Sequence, residues 1–266
     1  MKTLFFEKQR TSLTTVVAAL CTLFLLGGCP KRAIHPRAVA ANDDGIKYMM
    51  RNELEMADER FKLALEYDPN FKQAWNSRGL IEMRRGNNRN AETFFKRALA
   101  LDANFADARV NLGFIRLQQK NYQKAAELFR SAIEIEPAQK DARYNLALSL
   151  YFLKDFKEAR AHLVRLLAFD VRHVPSHFLL GSVEFEKKDF KQAGRHFFQA
   201  VQLDPGMASA HSGLCKSLFL VSQYPLSCVH CRRALQLEPT NVEYSNLLRT
   251  VDAKLREYNA SCSINP

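Results

Sequence analysis

The sequence predicts an all-α solenoid built from repeats, and three observations carry that prediction. Residue types recur every 34 positions over most of the 266-residue chain; each unit closes on a proline or a substitute for one; and the segment after the last unit is apolar at helical spacing. The period is read in several registers. Gly45, Gly79, Gly113, Ala147, Gly181 and Cys215 stand 34 apart, as do Ala57, Ala91, Ala125, Ala159, Ala193 and Ser227. A third row is Phe61, Phe95, Phe129, Leu163, Phe197 and Cys231, a fourth Ala64, Ala98, Ala132, Leu166, Ala200 and Ala234, and a closing row Pro69, Ala103, Pro137, Val171, Pro205 and Pro239. The chain is 47% hydrophobic and 25% charged with 10 Gly and 9 Pro, which excludes a disordered chain, a collagen and a multi-pass membrane protein.

In chain order, the amino terminus comes first. Lys2, Lys8 and Arg10 precede residues 11–26, which hold no charge, in the order of a secretory signal and too short for a membrane-spanning helix. Leu26-Gly27-Gly28-Cys29 resembles a bacterial lipobox. That resemblance implies a signal peptide over 1–28, a covalent lipid on Cys29 as the only non-protein group, a tether over 29–37, and a place on the periplasmic face of the outer membrane, since residue 30 is Pro and not the inner-membrane Asp. Two or more acyl chains hold a protein stably on a membrane. The net charge of +11 suits anionic lipid, cell-wall polymer or nucleic acid and selects none of them.

Each 34-residue unit resembles a tetratricopeptide repeat, with helix A on positions 1–14, helix B on about 18–31 and proline at 32. Small residues at positions 8 and 20 let the two helices approach, and the aromatic at 24 fills the space beside them. The repeats cover 38–71, 72–105, 106–139, 140–173, 174–207 and 208–241, and the resemblance implies a right-handed superhelix. Thr240-Asn241-Val242-Glu243 then reads as a capping box that opens a solvating cap helix over 242–259, followed by a tail over 260–266. Repeat 4 departs from the pattern: Leu163, Leu166 and Val171 replace Phe, Ala and Pro, which predicts a change of pitch between repeats 4 and 5.

No catalytic constellation is present. The sequence has no phosphate loop, no G-x-S-x-G and no H-E-x-x-H, and His177 and His211 at position 4 read as packing residues. The reading is a non-enzymatic protein with no metal, no nucleic-acid partner and no small-molecule substrate. Cys215 at position 8 and Cys231 at position 24 face each other across a helix pair, which predicts a disulfide there, with Cys228–Cys262 as the second bridge and Cys215–Cys228 as the rival. Small residues filling core slots, and zinc or thiol exchange at Cys228 and Cys231, are the alternatives.

In this repeat family positions 2, 5, 9, 12 and 13 of helix A line the inner face. Here they place Val110, Phe114 and Leu117, then Tyr144, Leu148, Tyr151 and Phe152, then Phe178 and Phe185 along a candidate partner groove, with position 12 also able to serve as an internal packing row. Asn42, Asp43, Asn76, Leu80, Asp107 and Phe114 do not supply the Lys and Arg of a carboxylate clamp.

Lipobox, six repeats and cap together resemble the outer-membrane lipoproteins of type IV pilus biogenesis, the PilF, PilW and Tgl group. That resemblance implies a protein that binds the secretin subunit through its groove, attaches to the membrane through its acyl chains, and promotes secretin localisation and ring assembly. A scaffold for cell-wall hydrolases or another envelope complex is the competing reading.

Overall fold

The computed structural model describes residues 33–262, in which thirteen α-helices follow one another and no strand occurs. They are α1 (Pro36–Met50), α2 (Leu54–Tyr67), α3 (Lys72–Arg84), α4 (Asn88–Leu101), α5 (Ala106–Gln118), α6 (Tyr122–Ile135), α7 (Lys140–Phe152), α8 (Phe156–Phe169), α9 (Val174–Glu186), α10 (Phe190–Leu203), α11 (Ala208–Leu220), α12 (Tyr224–Leu237) and α13 (Val242–Glu257). Six antiparallel pairs correspond to the six repeats, and α13 is the cap. The signal segment, Cys29 and residues 263–266 lie outside the described residues.

The A–B turn is set by one backbone conformation. Asn52, Gly86, Lys120, Lys154, Lys188 and Ser222, all at position 15, have φ between 59° and 77°. A left-handed residue ends helix A in one step, position 16 becomes the N-cap, and helix B starts at position 17, one residue earlier than the sequence pattern suggests. Asn121, Asp155 and Asp189 at position 16 accept from the backbone N–H three residues on.

What holds each pair together is a volume match between positions 8 and 24. A Cβ built on Gly45 would fall 2.5 Å from the Phe61 ring, on Gly79 2.4 Å from Phe95, on Gly113 2.8 Å from Phe129, and on Gly181 2.8 Å from Phe197. All four rings are buried. Glycine is therefore dictated by the ring. Repeat 4 solves the same constraint with Ala147 against Leu163, both fully buried, adding a methyl on one helix and removing a ring from the other. Repeat 6 solves it covalently, with Cys215 bonded to Cys231 at a Cα separation of 5.3 Å.

That exchange bears on the pitch expected between repeats 4 and 5. Leu146, Leu150, Leu163, Leu179, Leu180 and Val183 belong to one continuous core running from α5 to α9. The α8–α9 junction is packed about as closely as α2–α3 and α4–α5, and less closely than the flanking junctions α6–α7 and α10–α11. The Ala147–Leu163 exchange leaves this core unbroken through repeat 4, although α7 and α8 are the least closely packed of the six pairs.

The backbones of consecutive odd-numbered helices approach one another closely, whereas those of the even-numbered helices do not, and α6 and α8 are linked only by side chains, Arg130 to Glu158 at 2.9 Å. The array therefore curves with helices A on its inner face and helices B on its outer face. Among the described residues no helix is long and apolar enough to cross a membrane.

The volume match predicts a compensating pair. Gly79→Ala gains about 1 kcal/mol of helix propensity and loses about 1–3 kcal/mol to overpacking against Phe95, so it should lower the denaturant midpoint. Adding Phe95→Leu, the repeat 4 solution, should recover at least half of that loss. A double variant that is worse than the sum of the singles would refute the match.

Candidate functional site

The inner face carries two clefts of different character. One, of about 500 Å³, is walled by Asn76, Leu80, Asp107, Val110, Asn111, Gln139, Lys140 and Asp141 from α3, α5 and the start of α7, six of them polar or charged side chains and none aromatic. The other, of about 300 Å³, runs over repeats 4–6. Its floor is aromatic, with Tyr151, Phe178, Phe185 and Phe197, and its edges are polar, with Ser182, Glu186, Ser209, Ser212 and Lys216 joined by Glu243 and Tyr244 of α13. Lys216 donates to Glu243 at 2.5 Å and so ties the cap helix to the cleft edge.

The nine groove residues read from the sequence are divided by this geometry. Tyr151, Phe178 and Phe185 share the aromatic cleft, and Val110 lies in the polar one. Phe114, Leu117, Tyr144 and Leu148 are half-buried and line neither of these two clefts. Phe152 stacks on Tyr122 of the preceding repeat at 4.6 Å and remains 47% exposed. The position 12 rings turn partly inward onto position 17 of their own repeat: Tyr151 on Phe156 at 5.8 Å, Phe185 on Phe190 at 5.2 Å, Phe219 on Tyr224 at 5.4 Å. Phe178 likewise leans on the core ring of Phe197 at 5.6 Å. Burial raises the Tyr144 and Tyr151 phenol pKa values above their ordinary range, so both act as neutral hydrogen-bonding rings.

Sequence reasoning missed Ser182, Glu186, Ser209, Ser212, Lys216 and the cap residues Glu243 and Tyr244. The first five stand at inner-face positions 9, 13, 2, 5 and 9 of repeats 5 and 6, whereas no register leads to the cap residues.

Position 4 holds a second regular device. Trp75 Nε1 donates to Pro69 O at 2.9 Å, Arg109 to Ala103 O at 2.5 Å, and Arg143 to Pro137 O at 2.6 Å. His177 Nε2 pairs with Val171 O at 3.0 Å and His211 Nε2 with Pro205 O at 3.3 Å. In every repeat from the second on, an N–H at position 4 satisfies the carbonyl at position 32 of the preceding repeat. A carbonyl can only accept, so His177 and His211 carry their proton on Nε2. The free Nδ1 of neutral His211 then accepts from Nδ1–H of His230, 3.1 Å away, a contact that shares one proton and so excludes the two rings being charged together. Burial lowers the pKa of His196 and His211, and takes His230 down to about 4 with His211 adding to the effect.

Cys215 pairs with Cys231 and Cys228 with Cys262. The two cysteines of Cys228-Val229-His230-Cys231 thus bond in different directions, Cys231 to α11 and Cys228 to the segment after α13. Among the described residues no three potential metal ligands converge.

Comparison with known proteins agrees with the fold. Tetratricopeptide-repeat family profiles match residues 116–176 and residues 51–104 and 78–142. No curated protein sequence matches the chain. Among solved structures, PilF of Pseudomonas aeruginosa superposes with a TM-score of 0.73 at 18% identity, over 80% of this chain and 97% of that one. PilW, a widely conserved type IV pilus biogenesis factor, gives 0.68 at 20% identity over 80% and 97%. A chain of the APC/C hetero-tetramer Cut9–Hcn1 gives 0.67 at 20% identity over 81% of this chain, which spans only 43% of that relative. At these identities the likeness is one of fold.

Two predictions follow from the chemistry of repeats 5 and 6. The bridges close loops of 16 and 34 residues, worth about 3 and about 4 kcal/mol in the chain-entropy account; reductant should therefore open repeat 6 and the cap first, seen as hydrogen exchange in 208–262 before 72–139. The second concerns acid. The pKa values of His196, His211 and His230 are lower in the folded chain than the ordinary 6.5, so the unfolded chain takes up protons first and stability falls as pH drops from about 6.5 towards 4. Replacing His196 and His230 by Leu, the residue repeat 3 carries at position 23, should flatten the change in melting temperature between pH 7 and pH 5; an unchanged slope would exclude this origin.

Proposed function

We propose that this chain, an array of tetratricopeptide repeats of the kind that forms protein-binding scaffolds, is a lipid-anchored envelope protein whose inner face holds a segment of a secretin subunit and promotes its localisation and assembly at the outer membrane. The observation that carries the reading is the cleft over repeats 4–6. It combines an aromatic floor with a hydroxyl and charged edge, the composition of a surface that takes an apolar anchor and then fixes its orientation. The exposed halves of Tyr151, Phe178 and Phe185 are held by their own neighbours Phe156, Phe197 and Phe190, so they are presented as rigid rings. Rigid anchors lose little freedom on binding.

The membrane part of the reading rests on the lipobox sequence. Acylated Cys29 and a tether ending at Pro36 would keep α1 within about 25 Å of the bilayer. The choice of a secretin over other envelope partners rests on the resemblance of lipobox, repeats and cap to the pilus lipoproteins, and the likeness of fold to PilW, a type IV pilus biogenesis factor, agrees with a role in pilus biogenesis.

The test places a charged side chain over the cleft without entering the core. Ser182→Arg together with Tyr151→Ala should weaken co-precipitation of the secretin from crosslinked membranes by about 30-fold, the loss of one central anchor of about 2 kcal/mol, with helicity and melting retained. Undiminished capture would exclude this cleft. Capture of cell-wall hydrolases in place of a secretin would replace the partner and leave the cleft. Cys29→Ala should separately move the protein out of the outer-membrane fraction.

A further inference from the structure

The outer surface, which the reading above does not use, is closed at most junctions by the residues at position 21 of one repeat and position 11 of the next. Glu92 and Arg116 form an ion pair at 2.6 Å between repeats 2 and 3, as do Arg160 and Glu184 at 2.6 Å between repeats 4 and 5. Arg116 holds the Glu92 carboxyl down at about 2, and Glu184, although burial works against its charge, is kept below the usual range by Lys187 and Arg160. Between repeats 3 and 4 the two places hold Ala126 and Leu150, both buried.

Between repeats 5 and 6 the same places hold Gly194 and Leu218, and a cavity of about 610 Å³ opens among α10, α11 and α12. Phe190, Phe198, Leu214, Leu218, Val221 and Leu226 make its walls, and no Asp or Glu lines it. This size and lining are those of small-molecule pockets.

Two further observations say what the cavity suits. Gly194 lies inside α10, where glycine weakens a helix, yet packing does not require it: a Cβ there would meet Ser217 at 3.6 Å and Leu214 at 3.9 Å, ordinary contacts, unlike the ring collisions at Gly45 or Gly79. The missing side chain keeps the cavity open. Lys191 and Arg195 are the exposed cations of its lining. Neither forms an ion pair among the described residues, and Arg195 bonds only Gln192, at 3.4 Å. Every other cation named along this surface, Arg116, Arg160 and Lys187, already has its carboxylate.

An apolar cavity with two unneutralised cations and no acid fits a ligand with the reverse layout. We propose that the junction of repeats 5 and 6 binds a single-chain fatty acid, its alkyl chain in the cavity left by Gly194 and its carboxylate at Lys191 and Arg195. The proposal stands apart from secretin binding, which uses the opposite face.

Titration calorimetry of the purified full chain with octanoate, decanoate and dodecanoate, each below its micelle concentration, tests it. The Kd should fall by about two- to fourfold per added methylene, as burial of each CH2 in a half-open site requires. Dodecyltrimethylammonium should bind at least roughly tenfold more weakly, since it carries the wrong charge for the rim. Gly194→Leu should abolish dodecanoate binding, and Gly194→Ala, whose Cβ fits without displacement, should weaken it should the larger substitution unfold the helix. Lys191→Gln with Arg195→Gln should raise the Kd for all three acids by a similar factor and leave the chain-length slope unchanged. Dodecanoate binding that survives both Gly194 substitutions overturns the proposal, as does the absence of binding to the unmodified chain. Binding confined to phosphatidylglycerol vesicles and indifferent to Gly194 would assign the cations to a membrane surface and overturn it equally.

Discussion

The close approach of the two helices in each pair is the constraint on which the other features rest. It is set where position 8 meets position 24, and the six repeats meet it in three chemically different ways: glycine under a phenylalanine ring, alanine under leucine, and cysteine bonded to cysteine. In the first five repeats a larger residue at one position goes with a smaller one at the other, and in the sixth a covalent bond takes the place of the packed ring. With every pair closed at that point, the pairs stack in chain order, the odd-numbered helices come into mutual contact, and the inner face becomes a continuous surface. A pair left open there would break the surface. Repeat 4, whose individual residues all look irregular, leaves the core continuous for this reason.

The second constraint is polar. A carbonyl in the turn that follows each helix B faces the next helix A, where leaving it unpaired would cost stability. Position 4 answers with Trp, Arg, Arg, His and His, residues with nothing in common except an N–H on a long or planar side chain. Repeat 1 has Ala41 there, and it has no preceding junction to serve. Where the donor is histidine, the bond also fixes the tautomer, and in repeat 6 the paired His211 and His230 turn this packing requirement into a dependence on pH.

Much of the fold was legible because a 34-residue period samples the same physical position six times. The pairing of Cys215 with Cys231 followed from the facing of positions 8 and 24, and the structure joins them. Helix B began one residue early because the left-handed conformation at position 15 is a backbone property shared by Asn, Gly, Lys and Ser, which no residue type announces. The groove was less legible. Inner-face rings sit between core and solvent, and their final direction depends on a neighbour: Tyr151 turns to Phe156, Phe152 to Tyr122, Phe178 to Phe197. Register identifies the stripe but not how far each ring leaves it. Glu243 and Tyr244 belong to the cleft only because α13 lies against the end of α11, and a cap read as a solvating helix gives no sign of that.

The two ends of the array are built differently, and the difference coincides with the cleft. Along the first three repeats the inner helices are joined by polar contacts, Ser77 to Asn42 at 3.4 Å and Asn111 to Asn76 at 2.9 Å, and the cleft there is polar. From repeat 4 onward rings replace amides. Both bridges of the described chain lie at this carboxyl-terminal end, one inside repeat 6 and one binding α12 to the segment after the cap. The terminal unit of a repeat array has a neighbour on one side only and opens most readily. An aromatic surface formed partly by that unit would lose its edge whenever the unit frayed. Crosslinking α11 to α12, and α12 to the chain beyond α13, keeps Ser212, Lys216 and Glu243 in place around the rings, so the cost of ordering the edge is met on folding and not on binding. The covalent reinforcement is therefore located where a cleft at the end of a solenoid needs it, and the polar amino-terminal half, stabilised by neighbours and hydrogen bonds, carries none.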